Sequence, residues 1–488
     1  MVLIKAINNS YLYECENLCR VFFPSDVIIT EERMKDGTQP NITVIIKIEP
    51  DGENKKLTAK VISDGKETVK EKTQSGDGEK CKRTLFLLLL SALRELTSYT
   101  APWGILTGVR PAKLFHTVSR ELRSDEKAVK FFTDELSVSE EKALLAKKVA
   151  EKENRIISLS KPDSFSLYIS IPFCPSRCSY CSFVSSSIKS AGKLIDSYVE
   201  LLKEEIRRTG EIARDLNLKL ETVYFGGGTP TTLCASQLGE IMDEVEKSFD
   251  FERLKEYTVE AGRPDTVTRE KLEVIKRGFP KRISINPQTL NDDVLKAIGR
   301  AHTVQDFYEK FALARLAGFR NINCDIIAGL PLDTPESFKN TVLGLCGLEP
   351  ESITVHTLSL KRSSNMGSET KSLASIGASV SEMLRSSDEI LTPCGYEPYY
   401  MYRQSKMAGN LENVGRSKNG YECLYNVFMM DETHTVLACG AGAVTKLKAP
   451  NENRIERIFN YKYPFEYISN FDTLIERKKG IKEFYSSI

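Results

Sequence analysis

The sequence predicts an α/β protein: a parallel sheet, as an open or closed barrel, with an α+β region before it and an α+β extension after it. Three observations carry this. Between about residues 162 and 400, β-branched runs alternate with long helical patterns in six successive units, and such repetition calls for parallel strands joined by crossover helices. Residues 1–161 instead open with neighbouring strand patterns and close with helices. The motifs rich in Cys, Gly and charge fall at the ends of the alternating strands, the edge where parallel barrels place their chemistry.

In the first region, Asp26–Thr30, Ile42–Ile48 and Lys56–Ile62 alternate and are rich in β-branched residues, which predicts strands. The polar stretch Asp64–Lys80 predicts a loop. Helical periodicity covers Cys81–Thr97, Asp125–Thr133 and Ser139–Arg155. The apolar run Leu85–Leu90 is too short to span a bilayer and reads as a buried helix face. Pro102–Leu114 holds the only Trp, two Gly and two Pro, which predicts a shaped loop.

The alternating region has strand patterns at Ser166–Ile171, Thr222–Phe225, Tyr257–Ala261, Arg282–Ile285, Asn321–Ile327 and Ser352–Leu358. Between them lie helical patterns at Lys193–Leu216, Ser236–Phe249, Arg269–Gly278, Val304–Gly318 and Pro335–Leu348. The extension, 401–488, carries a strand pattern at Val436–Cys439, a small-residue turn at Gly440–Ala443 and a charged, aromatic tail.

Composition sets limits on function. The 488 residues are 41% hydrophobic and 28% charged, and 68 basic residues stand against 67 acidic ones. A net charge of +1 gives no global field for nucleic acid or a membrane surface. The N-terminus shows no apolar leader. Most of the twelve cysteines sit singly in apolar surroundings, Cys234, Cys324, Cys346 and Cys439 among them, which fits a reducing, cytoplasmic setting. Cys15 and Cys19 read as core residues.

Cys174, Cys178 and Cys181 depart from that pattern. They are spaced C-x3-C-x2-C just after a strand, in a loop made polar by Pro175, Ser176 and Arg177. A zinc site usually shows two separated ligand pairs; here one compact triplet stands with no His within fifty residues. Three thiolates can hold three irons of a four-iron cluster and leave the fourth iron open, though structural zinc stays an alternative. Gly226, Gly227 and Gly228, followed by Thr229 and Pro230, close the second strand. Three glycines let a ligand lie against bare backbone, or simply make a tight turn.

Together these motifs resemble the radical S-adenosylmethionine (SAM) superfamily. Tyr168-Ile-x-Ile-Pro-Phe-Cys174, Gly226-Gly-Gly-Thr-Pro230, Arg282-Ile-Ser-x-x-x-Gln288 and Asp325-Ile-Ile-x-Gly-Leu-Pro331 occur in order. They are similar to the oxygen-independent coproporphyrinogen III oxidase (dehydrogenase) family. The runs Gly108-Val-Arg-Pro111 and Val259-Glu-Ala-Gly-Arg-Pro-Asp265 resemble its HemZ-like branch. The resemblance implies a partial (β/α)6 barrel, a [4Fe-4S] cluster on Cys174, Cys178 and Cys181, and SAM on the open iron. It implies cofactor contacts from Tyr168, Tyr180, Gly226, Gly227, Gly228, Thr229, Glu260, Gln288, Arg300 and Asp325. For Glu260, Arg300 and Asp325 a structural ion pair is the plainer alternative, and for Tyr168 a strand aromatic.

The family reaction converts propionates of coproporphyrinogen III to vinyl groups, with electrons from a flavodoxin- or ferredoxin-type donor. Characterised dehydrogenases carry a further cysteine two residues after the triplet, where Phe183 stands here. The family's haem-chaperone relatives also have an aromatic residue there. Ser170 replaces a frequent His. The sequence therefore leaves three functions open: decarboxylation, haem binding, or radical chemistry on another substrate. His302 and His356 read as core or loop residues, and Arg110 as either a propionate ligand or a packing residue.

Overall fold

The computed structural model describes residues 1–24, 26–34, 39–63, 65–76, 78–181, 183, 185–279, 281–359, 373–404, 407–450, 452 and 454–487. The chain opens on β1 (Val2–Ile7), α1 (Leu12–Phe22), β2 (Ile28–Thr30), β3 (Ile42–Asp51), β4 (Asn54–Ser63), β5 (Lys66–Gln74) and α2 (Gly78–Thr97). The five strands form one sheet in the order β2-β1-β3-β4-β5. Its buried face, with Val44, Ile46, Leu57, Ala59 and Val61, packs with Leu85, Leu89 and Leu93 of α2 into a separate core. Cys15 and Cys19 lie in that core, one helical turn apart on α1.

The expected loop at Asp64–Lys80 is largely β5; of this stretch, residues 64 and 77 lie outside the described residues. β5 reads KETVKEKTQ because it is an edge strand, and edges are commonly blunted with charge. The expected strand at Asp26–Thr30 begins only at Ile28, Asp26 being taken by the N-terminal amine at 2.8 Å.

Three helices follow: α3 (Pro111–Leu122), α4 (Asp125–Lys130) and α5 (Glu140–Ile157). The shaped loop expected to run to Leu114 stops earlier, since Pro111 opens α3 at a position where its missing N–H costs nothing. Trp103 anchors this loop: its buried Nε1 donates to Glu412 Oε2 at 2.6 Å, and Lys142 of α5 meets the same carboxylate at 2.8 Å.

The large sheet then begins. Its strands are β6 (Ser164–Ile171), β9 (Lys219–Gly227), β10 (Glu256–Glu260), β11 (Arg282–Ser284), β12 (Ile322–Ala328) and β13 (Ser352–Thr357), with a small pair, β7 (Phe173–Cys174) and β8 (Ser186–Ser187), between the first two. Neighbouring strands from β6 to β13 pair in parallel. They are joined through α6 (Ile188–Ala191), α7 (Ile195–Asp215), α8 (Ala235–Ser248), α9 (Arg269–Lys276), α10 (Asp292–Ala297), α11 (Val304–Leu316) and α12 (Pro335–Leu348). These are the six expected βα units. Side chains alternate along these strands: Leu167, Ile169 and Ile171 of β6 enter the main core with Val223 and Phe225 of β9, while Tyr168 and Tyr224 between them face the cavity described below.

The rest of the chain extends both edges. It comprises α13 (Leu373–Leu391), β14 (Glu397–Tyr402), β15 (Asn413–Ser417), α14 (Leu424–Asp431), β16 (Thr435–Cys439), β17 (Val444–Lys448), β18 (Ile455–Phe459), α15 (Pro464–Ser469) and α16 (Phe471–Ser486). β15 and β14 add antiparallel beyond β13. At the other edge β16 lies parallel to β6, with β17 and β18 beyond it. The eleven strands thus run β14-β15-β13-β12-β11-β10-β9-β6-β16-β17-β18. Among the described residues no helix is long and apolar enough to cross a membrane.

Candidate functional site

A cavity of about 750 Å³ opens over the ends of the parallel strands. Twelve of the thirteen residues singled out in the sequence line it: Tyr168, Cys174, Cys178, Tyr180, Cys181, Gly227, Gly228, Thr229, Glu260, Gln288, Arg300 and Asp325. Gly226 is the exception, sitting behind the wall beneath the Tyr224 ring and the Glu260 carboxyl group.

The cysteine loop is set by backbone contacts. Gly228 N donates to the Ile171 carbonyl at 2.8 Å, and Thr229 N to the Phe173 carbonyl at 2.8 Å. A Cβ on Gly228 would lie 2.6 Å from the Phe173 carbonyl oxygen, so only glycine lets the turn after β9 seat on the root of the loop. Thr229 Oγ1 comes within 3.4 Å of Cys174 Sγ. Two arginines flank the loop. Arg263, held by Asp265 at 2.8 Å, donates to the Ser176 carbonyl at 2.9 Å and reaches to 3.9 Å from Cys178 Sγ. Arg300 Nη2 donates to the Tyr180 hydroxyl at 2.9 Å. Burial pushes the Cys181 thiol up, and the neighbouring Cys178 and Cys174 oppose its ionisation further. Flanking guanidinium groups are what favour thiolates over thiols in such a place.

Beside this loop stand two carboxyl groups of opposite character. Glu260 ends β10 and accepts a 2.6 Å hydrogen bond from the Tyr224 hydroxyl. Burial nonetheless pushes it up to about 7, with the nearby Asp325 adding to the rise. Burial also acts to raise Asp325, but His356 and the hydrogen bonds of Asn323 and Thr354 hold it below the usual carboxylate range. Asn323 Nδ2 donates to Asp325 Oδ1 at 2.7 Å, and His356 Nε2 stands 3.8 Å from Oδ2. His356 is thus a cavity residue, contrary to the core or loop reading; lying one strand beyond Asp325, it was not adjacent to it in sequence. Gln288 follows β11 with φ +68° and is stitched to β12 on both sides, donating to the Asp325 carbonyl at 3.0 Å and accepting from Ile327 N at 3.0 Å.

Further along, the lining turns aromatic and cationic. Tyr168, Tyr224 and Tyr425 stack, with ring centroids 6.2, 6.1 and 4.5 Å apart. Tyr400 and Tyr402 continue that wall, and Lys446 and Arg457 face the cavity from β17 and β18. Sequence reading missed Tyr224, Tyr425 and this cationic pair, since an isolated tyrosine or lysine gives no spacing signal. Arg263 stood in the quoted Gly-Arg-Pro run and could have been found there. Arg110 does not line the cavity. It packs the first region against the extension, paired with Glu432 at 2.8 Å and donating to the Met430 carbonyl at 3.2 Å. His302 is buried outside the cavity.

The turn at Gly440–Ala443 reaches the cavity through Gly442 and Ala443. Gly440 has φ +100°, and a Cβ there would sit 2.5 Å from both the Ser170 carbonyl and the Tyr198 hydroxyl. Ser170 Oγ donates to the Ala441 carbonyl at 2.8 Å, which gives this serine a structural task. Phe183 stands at the cavity rim and is 68% exposed.

The profile of the Radical SAM superfamily matches residues 168–343, the span that carries the cysteine loop, the glycine turn and both carboxyl groups. Over 479 residues, 97% of this chain and 94% of the other, the sequence is 35% identical to the oxygen-independent coproporphyrinogen-III oxidase-like protein HemZ of Bacillus subtilis (strain 168). The chain belongs to the radical SAM superfamily and, within it, to the HemZ family. It is also 37% identical over 194 residues, 40% of this chain and 50% of the relative, to the heme chaperone HemW of the same organism. Among solved structures it is similar to coproporphyrinogen III oxidase (HemN) from Escherichia coli, with 20% identity, a TM-score of 0.49, and coverage of 66% of this chain and 72% of that one.

Members of the radical SAM superfamily carry a [4Fe-4S] cluster and SAM. The donor set fits. Three cysteines line one cavity beside two arginines, which gives one thiolate for each of three irons of a cubane.

Proposed function

We propose that this protein oxidatively decarboxylates the propionate side chains of coproporphyrinogen III to vinyl groups, giving protoporphyrinogen IX. The observation that supports this reading most is the make-up of one cavity, which brings cysteines, a glycine turn and paired carboxyl groups together with stacked tyrosines and cations. In this reading residues 1–161, 162–400 and 401–488 act as an N-terminal α+β domain, a catalytic partial barrel and an extension that closes the substrate side.

Cys174, Cys178 and Cys181 would hold the cluster. Bound there, the cluster and SAM would supply one-electron chemistry and an acceptor for a substrate hydrogen atom. Tyr168, Tyr180 and the Gly227–Thr229 turn would position SAM, with Gly226 behind them. Glu260, Gln288, Arg300 and Asp325 would hold its polar groups, Glu260 becoming charged as the sulfonium approaches. The walls exclude water and hold a propionate β-carbon near that acceptor. For each propionate, one hydrogen atom leaves the β-carbon, the bond to the carboxylate breaks, carbon dioxide departs, and one electron passes to a one-electron acceptor as the vinyl double bond forms.

A second reading, haem chaperone, is favoured by Phe183, which takes the place of the extra cysteine of the dehydrogenases. One anaerobic experiment separates the two. The reconstituted protein is given SAM, a flavodoxin- or ferredoxin-type donor and coproporphyrinogen III. A decarboxylase releases 5′-deoxyadenosine and carbon dioxide in proportion to vinyl product. SAM cleavage without decarboxylation, or stoichiometric haem binding without SAM consumption, overturns the proposal.

A further inference from the structure

The hairpin of β17 and β18 carries an arrangement that folding alone does not call for. Lys446 and Arg457 are direct cross-strand partners, and so are Val444 and Phe459. Like charges directly opposite each other destabilise an antiparallel pair. All four side chains line the cavity, while the intervening Thr445 and Leu447 are buried on the other face. The cavity face of the hairpin is therefore an apolar pair followed by a cationic pair.

Counter-charge is present but incomplete. Glu432, just past the end of α14, is 3.0 Å from Arg457, 3.5 Å from Lys446 and 2.8 Å from Arg110. Asp431 lies 3.6 Å from Lys113. Among the described residues, four cations (Lys446, Arg457, Arg110 and Lys113) thus pair with these two carboxylates. The nearby Glu153 adds no full charge at neutral pH, because burial and the field of Asp431 push it up to about 8. Lys446 also donates to the Met429 carbonyl at 3.3 Å, beside Met430 on the cavity wall. Phe459 is 58% exposed, an apolar ring left open next to the cations.

We propose that this hairpin is the carboxylate clamp of the substrate. Lys446 and Arg457 bind carboxylates of an amphipathic, ring-shaped polycarboxylate whose apolar body rests on Val444, Phe459 and Met430. Glu432 holds the two cations in place until the substrate carboxylates arrive. Identification of the ligand as a tetrapyrrole rests on the function proposed above; the anion selectivity rests on the hairpin itself. Cationic forks suit carboxylates, and a partly desolvated site strengthens the pairing.

The test measures binding of coproporphyrin III, its uncharged tetramethyl ester and benzenehexacarboxylate to the full-length holoprotein. Wild type is expected to prefer the free acid over the ester. The Lys446→Gln, Arg457→Gln double variant is expected to bind the acid at least about tenfold more weakly and to lose the preference. Arg457→Lys keeps most of it. Glu432→Gln binds the acid several-fold more tightly, a gain that a merely structural role would not produce. If the folded double variant binds acid and ester as wild type does, the clamp is overturned and the functional reading stands. If wild type binds benzenehexacarboxylate in the same charge-dependent way but no porphyrin, the clamp stands and the tetrapyrrole falls. Binding of none of the three overturns both. Should the double variant fail to fold, Glu432→Gln decides: tighter binding supports the clamp, and unchanged or weaker binding sinks it.

Discussion

The two sides of the cavity are built by different means. On the cysteine side, short segments that follow β6 and β9 lock together through main-chain hydrogen bonds, such as Gly228 N to the Ile171 carbonyl at 2.8 Å. On the far side, β14, α14, β17 and β18 contribute isolated side chains: Tyr400, Tyr402, Tyr425, Lys446 and Arg457. In the function proposed above, the first design fixes the atoms that hold the cofactor. The second would leave specificity to side chains on elements near the sheet edges, away from the parallel core. A family could change its substrate on the far side without disturbing the cofactor side.

Substitutions on the cysteine side test whether the two sides are separable. The largest effect is expected from Cys178→Ser. Iron content and SAM cleavage fall to background in anaerobic assays, while coproporphyrin III binding on the far side persists. Full SAM cleavage by this variant would sink the cluster assignment. Gly228→Ala comes next. Its methyl group meets the Phe173 carbonyl at 2.6 Å, against backbone that cannot yield as a side chain would. Overpacking of this kind costs roughly 1–3 kcal/mol, to be read as a lower melting temperature together with reduced iron occupancy; an unchanged value of both removes the backbone-locking argument.

Glu260 gives a pH signature. Its carboxyl is raised by burial to about 7, so a cationic ligand must displace a proton below that pH. SAM affinity should rise about tenfold per pH unit up to pH 7 and then level off, and Glu260→Gln should flatten the slope. The sign for the free protein is the reverse. The folded state holds this proton more tightly than the unfolded one, so stability is lost as pH rises from about 4.5 to about 7. The smallest effect is expected from Tyr224→Phe, which removes the hydrogen bond that favours the Glu260 carboxylate. It should move the midpoint upward by less than about one pH unit, measured by titrating SAM binding.

The sequence showed the cofactor side well and the far side poorly, for physical reasons. A cysteine triplet or glycine run keeps its spacing in the chain, and the six βα units keep their period, so both were legible. Lys446 and Arg457 become neighbours only through the register of a hairpin. Tyr168, Tyr224 and Tyr425 meet only once α14 lies beside β9. β5 escaped notice because charged edge strands look like loops, and α3 because its opening proline looked like a loop residue. β16 was recognised as a strand, but nothing local indicated that it would pair in parallel with β6.

That pairing governs when the centre can be assembled. Ser170 and Ala441, which tie the end of β6 to the turn after β16, are 271 positions apart. At about 5–20 residues per second, a ribosome needs roughly fifteen to fifty seconds to make the intervening chain. Through that interval β6 has one open edge, and its end at Ser170 lacks the contacts that Gly440–Ala443 later supplies. A nascent chain stalled before Thr435 therefore exposes an unpaired strand edge, a template for aggregation.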